Sequence, residues 1–133
     1  MKSRPYNLIL LSAEREACTT EYNDLATQQL GALLYLLKLK HGPAQGRYEG
    51  RLENSYAVKL FPPLDDHLPM IRGIAFKVFH QDSILLVDTQ DQAHLIFSDG
   101  KEEFIGKWAE VTLDGSLPTG DWSKIGDRYF TVQ

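Results

Sequence analysis

The sequence predicts one α/β domain: a two-layer sandwich in which two helices cover one face of a single sheet. Three observations carry this expectation. The chain is 133 residues long, the length of one domain. Its apolar periodicity switches between 3.6 and 2 along the sequence. Two helical patterns alternate with strand patterns in the order β-α-β-α-β-β, followed by a β-rich tail, which leaves room for one sheet and one helical layer. The nearest common architecture is the ferredoxin-like sandwich. Such a sheet keeps one face uncovered unless an oligomer or a partner buries it.

Each element has a local cause. Tyr6 to Leu11 is a continuous apolar run, the mark of a central strand covered on both sides. Thr19-Thr20-Glu21 offers a hydroxyl cap to a helix start. Leu30, Leu33, Leu34 and Leu37 then recur at helical spacing until His41-Gly42-Pro43 stops the pattern. From Tyr48 to Phe61 the period becomes two, with Tyr48, Leu52, Tyr56, Val58 and Leu60 on one face. Glu49, Arg51, Glu53, Ser55 and Lys59 fall on the other, so a long strand is expected unless Gly50 puts a bulge in it.

Pro62-Pro63 breaks that strand, and Asp65-Asp66 offers a cap for a second helix with Pro69 in its first turn. Ile71, Ile74, Ala75 and Val78 form its expected buried stripe. Ser83 to Val87 and His94 to Phe97 read as strands joined by a turn at Thr89-Gln90-Asp91. Phe104 to Leu113 reads as another strand, between turns at Asp99-Gly100 and Asp114-Gly115, and Tyr129 to Val132 as a short last one.

Composition excludes several function classes. Hydrophobic residues make up 43% and charged ones 24%, which is globular rather than disordered or fibrous. No apolar run approaches the ~20 residues of a membrane span. The formal charge of −4 and the absence of a Lys/Arg cluster argue against nucleic acid as a partner. Met1-Lys2-Ser3-Arg4 before the first apolar run faintly imitates a signal peptide, but Glu14, Arg15 and Glu16 close that run at once. The single cysteine, Cys18, allows no internal disulfide, and a reducing, cytoplasmic setting is expected.

Local motifs name few candidates. There is no Gly-rich phosphate loop, no nucleophile elbow and no zinc-binding helix signature. His41, His67, His80 and His94 are scattered, so no metal site is expected. Cys18 stands before a helix, where a thiol pKa can fall, but no base is identifiable for it. Ser12 and Glu14 lie in the loop leaving the first strand, at the carboxyl end where α/β sheets bind ligands. The richest stretch is Gly46 to Tyr56, where Glu49, Arg51 and Glu53 form a file on one strand face. A solvated face and a pocket lined between subunits both fit that file.

The sequence resembles the phage-encoded enzymes that degrade S-adenosylmethionine, once called hydrolases and now lyases. The likeness runs through Leu8-Ile9-Leu10-Leu11-Ser12-Ala13-Glu14-Arg15, the helix after it, and Gly46-Arg47-Tyr48 followed by Glu53. It continues in Ala93 to Phe97 with Asp99-Gly100, and in Gly126-Asp127-Arg128-Tyr129 running to Val132-Gln133. The resemblance implies a GlnB (PII)-like sandwich assembled as a homotrimer, with sites between subunits and no metal or other cofactor. It implies conversion of S-adenosylmethionine to 5′-methylthioadenosine and homoserine lactone, in the cytoplasm of an infected bacterium, as a counter-defence against host restriction. Glu53 would hold the substrate ammonium and Tyr48 would orient it, with Glu49 and Tyr56 competing for the same roles and Ser12 and Glu14 binding substrate. Two other readings stand beside it: a non-enzymatic PII-like module that binds an adenine nucleotide, and a small acidic protein that blocks a host partner by surface contact.

Overall fold

The structure is a computed structural model that describes residues 4–61 and 67–133. The expected break at Pro62-Pro63, the Asp65-Asp66 cap and the Met1-Lys2-Ser3 start lie outside the described residues. The architecture is a closed antiparallel β-barrel with helices packed on one side of its outer wall, and not a ferredoxin-like or GlnB-like sandwich. Eight strands close it: β1 (Asn7–Leu11), β2 (Lys40–Tyr48), β3 (Arg51–Leu60), β4 (Ser83–Val87), β5 (Gln92–Phe97), β6 (Glu102–Val111), β7 (Trp122–Ile125) and β8 (Arg128–Val132). Their order around the barrel is β1-β3-β2-β7-β8-β6-β5-β4.

The correction turns on two strands absent from the sequence reading. β2 carries His41, Gly42 and Pro43, residues that read as a helix stop, and then Gly46. Pro43 nevertheless pairs opposite Tyr56 of β3, and lies outside the Ala44–Arg47 stretch that pairs with β7. The four residues of β7 are too few to show a period, yet they bridge β2 to β8. With these two strands in place the sheet curls shut, and the face expected to need a partner becomes the barrel lumen.

The expected Tyr48–Phe61 strand begins only at Arg51, and Tyr48 belongs to β2 across a hairpin turn. Glu49 and Gly50 both have positive φ, 54° and 81°, and Tyr48 pairs directly with Arg51. That is a two-residue turn of the type whose twist matches the flanking strands. Gly50 is there for the turn, not for a bulge.

The first helix, α1 (Thr20–Leu36), begins where expected, with Thr19 Oγ1 accepting from the Tyr22 N–H. It ends before His41. Lys38 adopts a left-handed φ of 58°, and the N–H groups of Lys38 and Leu39 return to the carbonyls of Tyr35 and Leu34. This closes the helix in a Schellman motif. The second helix, α2 (Leu68–Gly73), runs on as a π-helical segment, Ile74–Val78. The wider turn bonds Phe79 N–H to the Ile74 carbonyl and rotates the stripe. Ile71, Ile74 and Ala75 are buried as expected, but Val78 is exposed and Phe79 is buried instead.

Two apolar layers follow. Outside the wall, Leu30 and Leu34 of α1 and Ile71 of α2 pack on Ile9, Leu11, Val58, Leu60, Ile84 and Ile96. Inside, Leu8, Leu10, Ala57, Val87, Ala93 and Trp108 fill the middle of the lumen, with Phe130 against them. β1 serves both layers, which is why Leu8 to Leu11 are all apolar. β6 carries a bulge: Ala93 pairs with Gly106 but His94 with Phe104. Gly106 has φ 137°, and a Cβ there would stand 2.6 Å from the Gln133 carbonyl oxygen. Gly106→Ala is therefore expected to lower Tm by roughly 5–10 °C, measured by calorimetry. An unchanged Tm would show that the bulge can relax.

Candidate active site

The apolar plug fills the middle of the barrel and leaves one mouth open as a cleft of ≈ 1320 Å³. The end of β1, the β2–β3 hairpin, the start of β4 and the 112–121 connection surround it. Trp108, stacked on Phe130 with ring centroids 4.9 Å apart, forms part of its floor.

The hairpin explains which side chains enter. In an antiparallel ladder, directly paired residues point to the same side. Arg51, Glu53 and Ser55 of β3 line the cleft, so their partners Tyr48, Gly46 and Ala44 share that side. The two-residue turn thus moves Tyr48 out of the apolar file to which simple alternation assigns it. The polar file of β3 faces the lumen, and the apolar file faces the helices. Alternation along β3 separates these two faces, and of the two readings it left open for the polar file, solvent or a lined pocket, the residues line a cleft within the barrel.

The sequence-named residues now separate. Tyr48, Glu49, Glu53, Ser12 and Glu14 all line the cleft. Tyr56 does not: it packs in the outer layer against His41 and over Gly31, whose absent Cβ would fall 2.4 Å from the Tyr56 hydroxyl. Glu49 sits on the turn, its N–H donating to Asp121 Oδ1 at 2.9 Å. Cys18 lies outside the lining. Among the described residues no group of His, Cys, Asp and Glu could hold a metal ion.

A charged cluster occupies one wall. Arg51 Nη1 lies 3.2 Å from Glu53 Oε2, and its other terminal nitrogen 4.0 Å from Glu14 Oε1. Glu14 is held in place by the Asn54 N–H, 2.7 Å from its Oε2. Ser12 locks the strand to the hairpin, donating to the Asn54 carbonyl at 2.8 Å and accepting the Glu14 N–H at 3.0 Å. Burial pushes the Glu53 carboxyl above its ordinary pKa; Arg51 and the Ser12 hydroxyl pull against this, and the charge of Glu14 adds to it. Glu53 is thus a desolvated carboxylate for which a further cation would be a favourable partner.

Tyr48 faces this cluster from β2. Its hydroxyl is 2.6 Å from Ser123 Oγ, and its ring covers Gly46, the residue paired with Glu53. Burial raises the Tyr48 pKa, Ser123 lowers it, and the nearby charges of Glu53 and Asp121 raise it further. The phenol therefore stays protonated and can donate. Ser123 and Asp121 are contributions of β7 and the segment before it, so sequence reasoning without β7 had no way to find them. Arg51 was visible only as a neighbour of the two glutamates.

The charge of the cleft is lopsided. Glu14, Glu16, Glu49, Glu53, Asp82, Asp114 and Asp121 line it, against Arg15 and Arg51. Carboxylates focused in a cleft raise the local concentration of cations. Fold and site together define a closed barrel with an acidic cleft at one mouth. The chain belongs to the S-adenosylmethionine lyase family, whose model matches residues 9–133. It is an enzyme acting on S-adenosylmethionine. No curated protein matches the chain.

Proposed function

We propose that this enzyme converts S-adenosylmethionine to 5′-methylthioadenosine and homoserine lactone by attack of the substrate's own carboxylate on its γ-carbon. The observation that carries the reading is the acidic cleft with a desolvated Glu53 beside Tyr48. S-Adenosylmethionine brings two positive groups, a sulfonium and an ammonium, and one carboxylate. Glu53 takes the ammonium in a charge-assisted hydrogen bond. Tyr48, kept protonated, orients the amino-acid end from the opposite strand, and Ser12 and Glu14 hold the strand and hairpin in register around it.

The step is an internal displacement. A carboxylate oxygen forms a bond to the γ-carbon as the bond from that carbon to sulfur breaks, and the electron pair leaves on sulfur as a neutral thioether. No water is consumed and no proton moves. The protein's task is to fold the substrate, and orientation of this kind lowers barriers by roughly 7–11 kcal/mol.

The resemblance also supports a counter-defence role in a phage-infected host, through depletion of the methyl donor, and a homotrimer. The closed barrel removes the uncovered sheet face that was a second reason for oligomerisation, and with the GlnB-like fold goes the ground for a PII-like nucleotide module. Among the described residues, one apolar surface open to subunit contact is the outer side of α1, where Tyr22, Leu25, Tyr35 and Leu36 are exposed. Sedimentation at the mass of a single subunit would remove the trimer.

A proton NMR time course with S-adenosylmethionine tests the reaction. Methylthioadenosine and homoserine lactone growing in step are expected. Homoserine without transient lactone would overturn the internal displacement and require a positioned water. An unchanged spectrum would overturn the assignment altogether.

A further inference from the structure

The second mouth of the barrel is built from cations. Arg4 and Tyr6 ahead of β1, Lys40 and His41 at the start of β2, Lys59 near the end of β3 and Arg128 on β8 surround a pocket of ≈ 370 Å³. No acidic side chain lines it among the described residues. The apolar plug of Leu8, Ala57, Trp108 and Phe130 separates it from the acidic cleft, so the barrel has one negative and one positive end.

Two of the four cations have acid partners: Arg4 meets Asp91 at 2.6 Å, and Arg128 meets Glu110. Lys40 and Lys59 have no ion pair among the described residues. They are directly paired across the β2–β3 ladder, where like charges repel. Their ammonium groups are held instead over rings, Lys40 over Phe61 at 5.1 Å and Lys59 over Tyr6 at 4.9 Å. Arg4 lies over the same Tyr6 ring at 5.6 Å. One buried donor at this pocket, Arg4 Nε, has no hydrogen-bond partner. Opposed like charges and an unmatched buried donor at one opening cost free energy until an anion joins them.

We propose that this mouth is a second ligand site, for a small phosphate-bearing molecule. The phosphate sits between Lys40 and Lys59 within reach of Arg4, since three cations match its charge and its several acceptor oxygens. The rings of Tyr6 and Phe130 form an apolar wall for any organic group attached to it. The site is independent of the lyase reading, and its test uses no S-adenosylmethionine.

Two probes, inorganic phosphate and phenyl phosphate, are titrated into the whole protein at low salt and followed by amide NMR. Saturable shifts centred on Lys40, Gly42 and Lys59 are expected. Tighter binding of phenyl phosphate would identify a phosphate ester as the ligand class, and equal binding the free anion. Lys40→Met and Lys59→Met should each weaken binding roughly tenfold. In anion-free buffer both variants should be as stable as the parent or more so, because a like-charge pair is removed. Added phosphate should then raise the parent's Tm more than theirs at the same concentration. Shifts that grow linearly without saturation, or variants that bind phosphate as the parent does, would overturn the site.

Discussion

Glu53→Gln is expected to lower turnover of S-adenosylmethionine at least about a hundredfold, ~2.7 kcal/mol of transition-state stabilisation, while making the protein more stable at neutral pH. The two effects have one origin. Burial raises the pKa of Glu53 in the folded protein, so the native state holds that proton more tightly than the unfolded chain does. Stability therefore falls as pH rises through the native pKa, and a neutral amide is spared the fall. The Tm of the variant should exceed the parent's at neutral pH and converge with it in acid, where Glu53 is neutral in both states. Activity follows the opposite sign: the ammonium needs the ionised carboxylate, so the parent should lose activity on the acid side at a higher pH than an ordinary glutamate would dictate. Scanning calorimetry with initial rates across pH checks both halves. A variant of unchanged turnover would remove Glu53 from the site.

Gly46→Ala is the second large effect. A Cβ at Gly46 would stand 2.2 Å from the Tyr48 ring and 2.6 Å from its hydroxyl. The ring is the free end of a side chain and can swing aside, so the fold should survive. It cannot do so and keep its 2.6 Å contact with Ser123. Turnover should fall roughly ten- to a hundredfold, because displacement of a positioning group by about 1 Å costs that order. Gly42→Ala on the same strand, with nothing within 4 Å of the added methyl, is the control and should leave turnover unchanged. Equal rates for all three proteins would mean that Tyr48 does not position substrate.

The local elements were mostly legible. The apolar run of β1, the Thr19 cap and leucine stripe of α1, and the β4–β5 hairpin follow from short-range rules and fall close to where the sequence places them. What failed was long-range. A strand containing Gly42, Pro43 and Gly46 violates every propensity for a strand, and exists because β3 on one side and β7 on the other hold it in register. Alternation in β3 shows two faces but not which one meets water, since a barrel with an outer helical layer buries both. Glu53 was visible as a carboxylate on a polar file. That Tyr48 shares its side, and Tyr56 does not, depends on the turn at Glu49-Gly50, which the spacing of side chains alone leaves open.

Closure of the barrel also bears on how the protein is made. β2 finds its second neighbour only in β7, and β6 finds its own in β8, so a growing chain carries two bare strand edges until the Trp122–Val132 hairpin has left the ribosome. Unpaired edges are templates for other chains. Crowded synthesis, as during rapid overexpression, should therefore put the protein at greatest risk before that hairpin emerges, and conditions that slow initiation rather than elongation should favour the soluble product. Once the hairpin docks, no strand edge remains among the described residues for another chain to join.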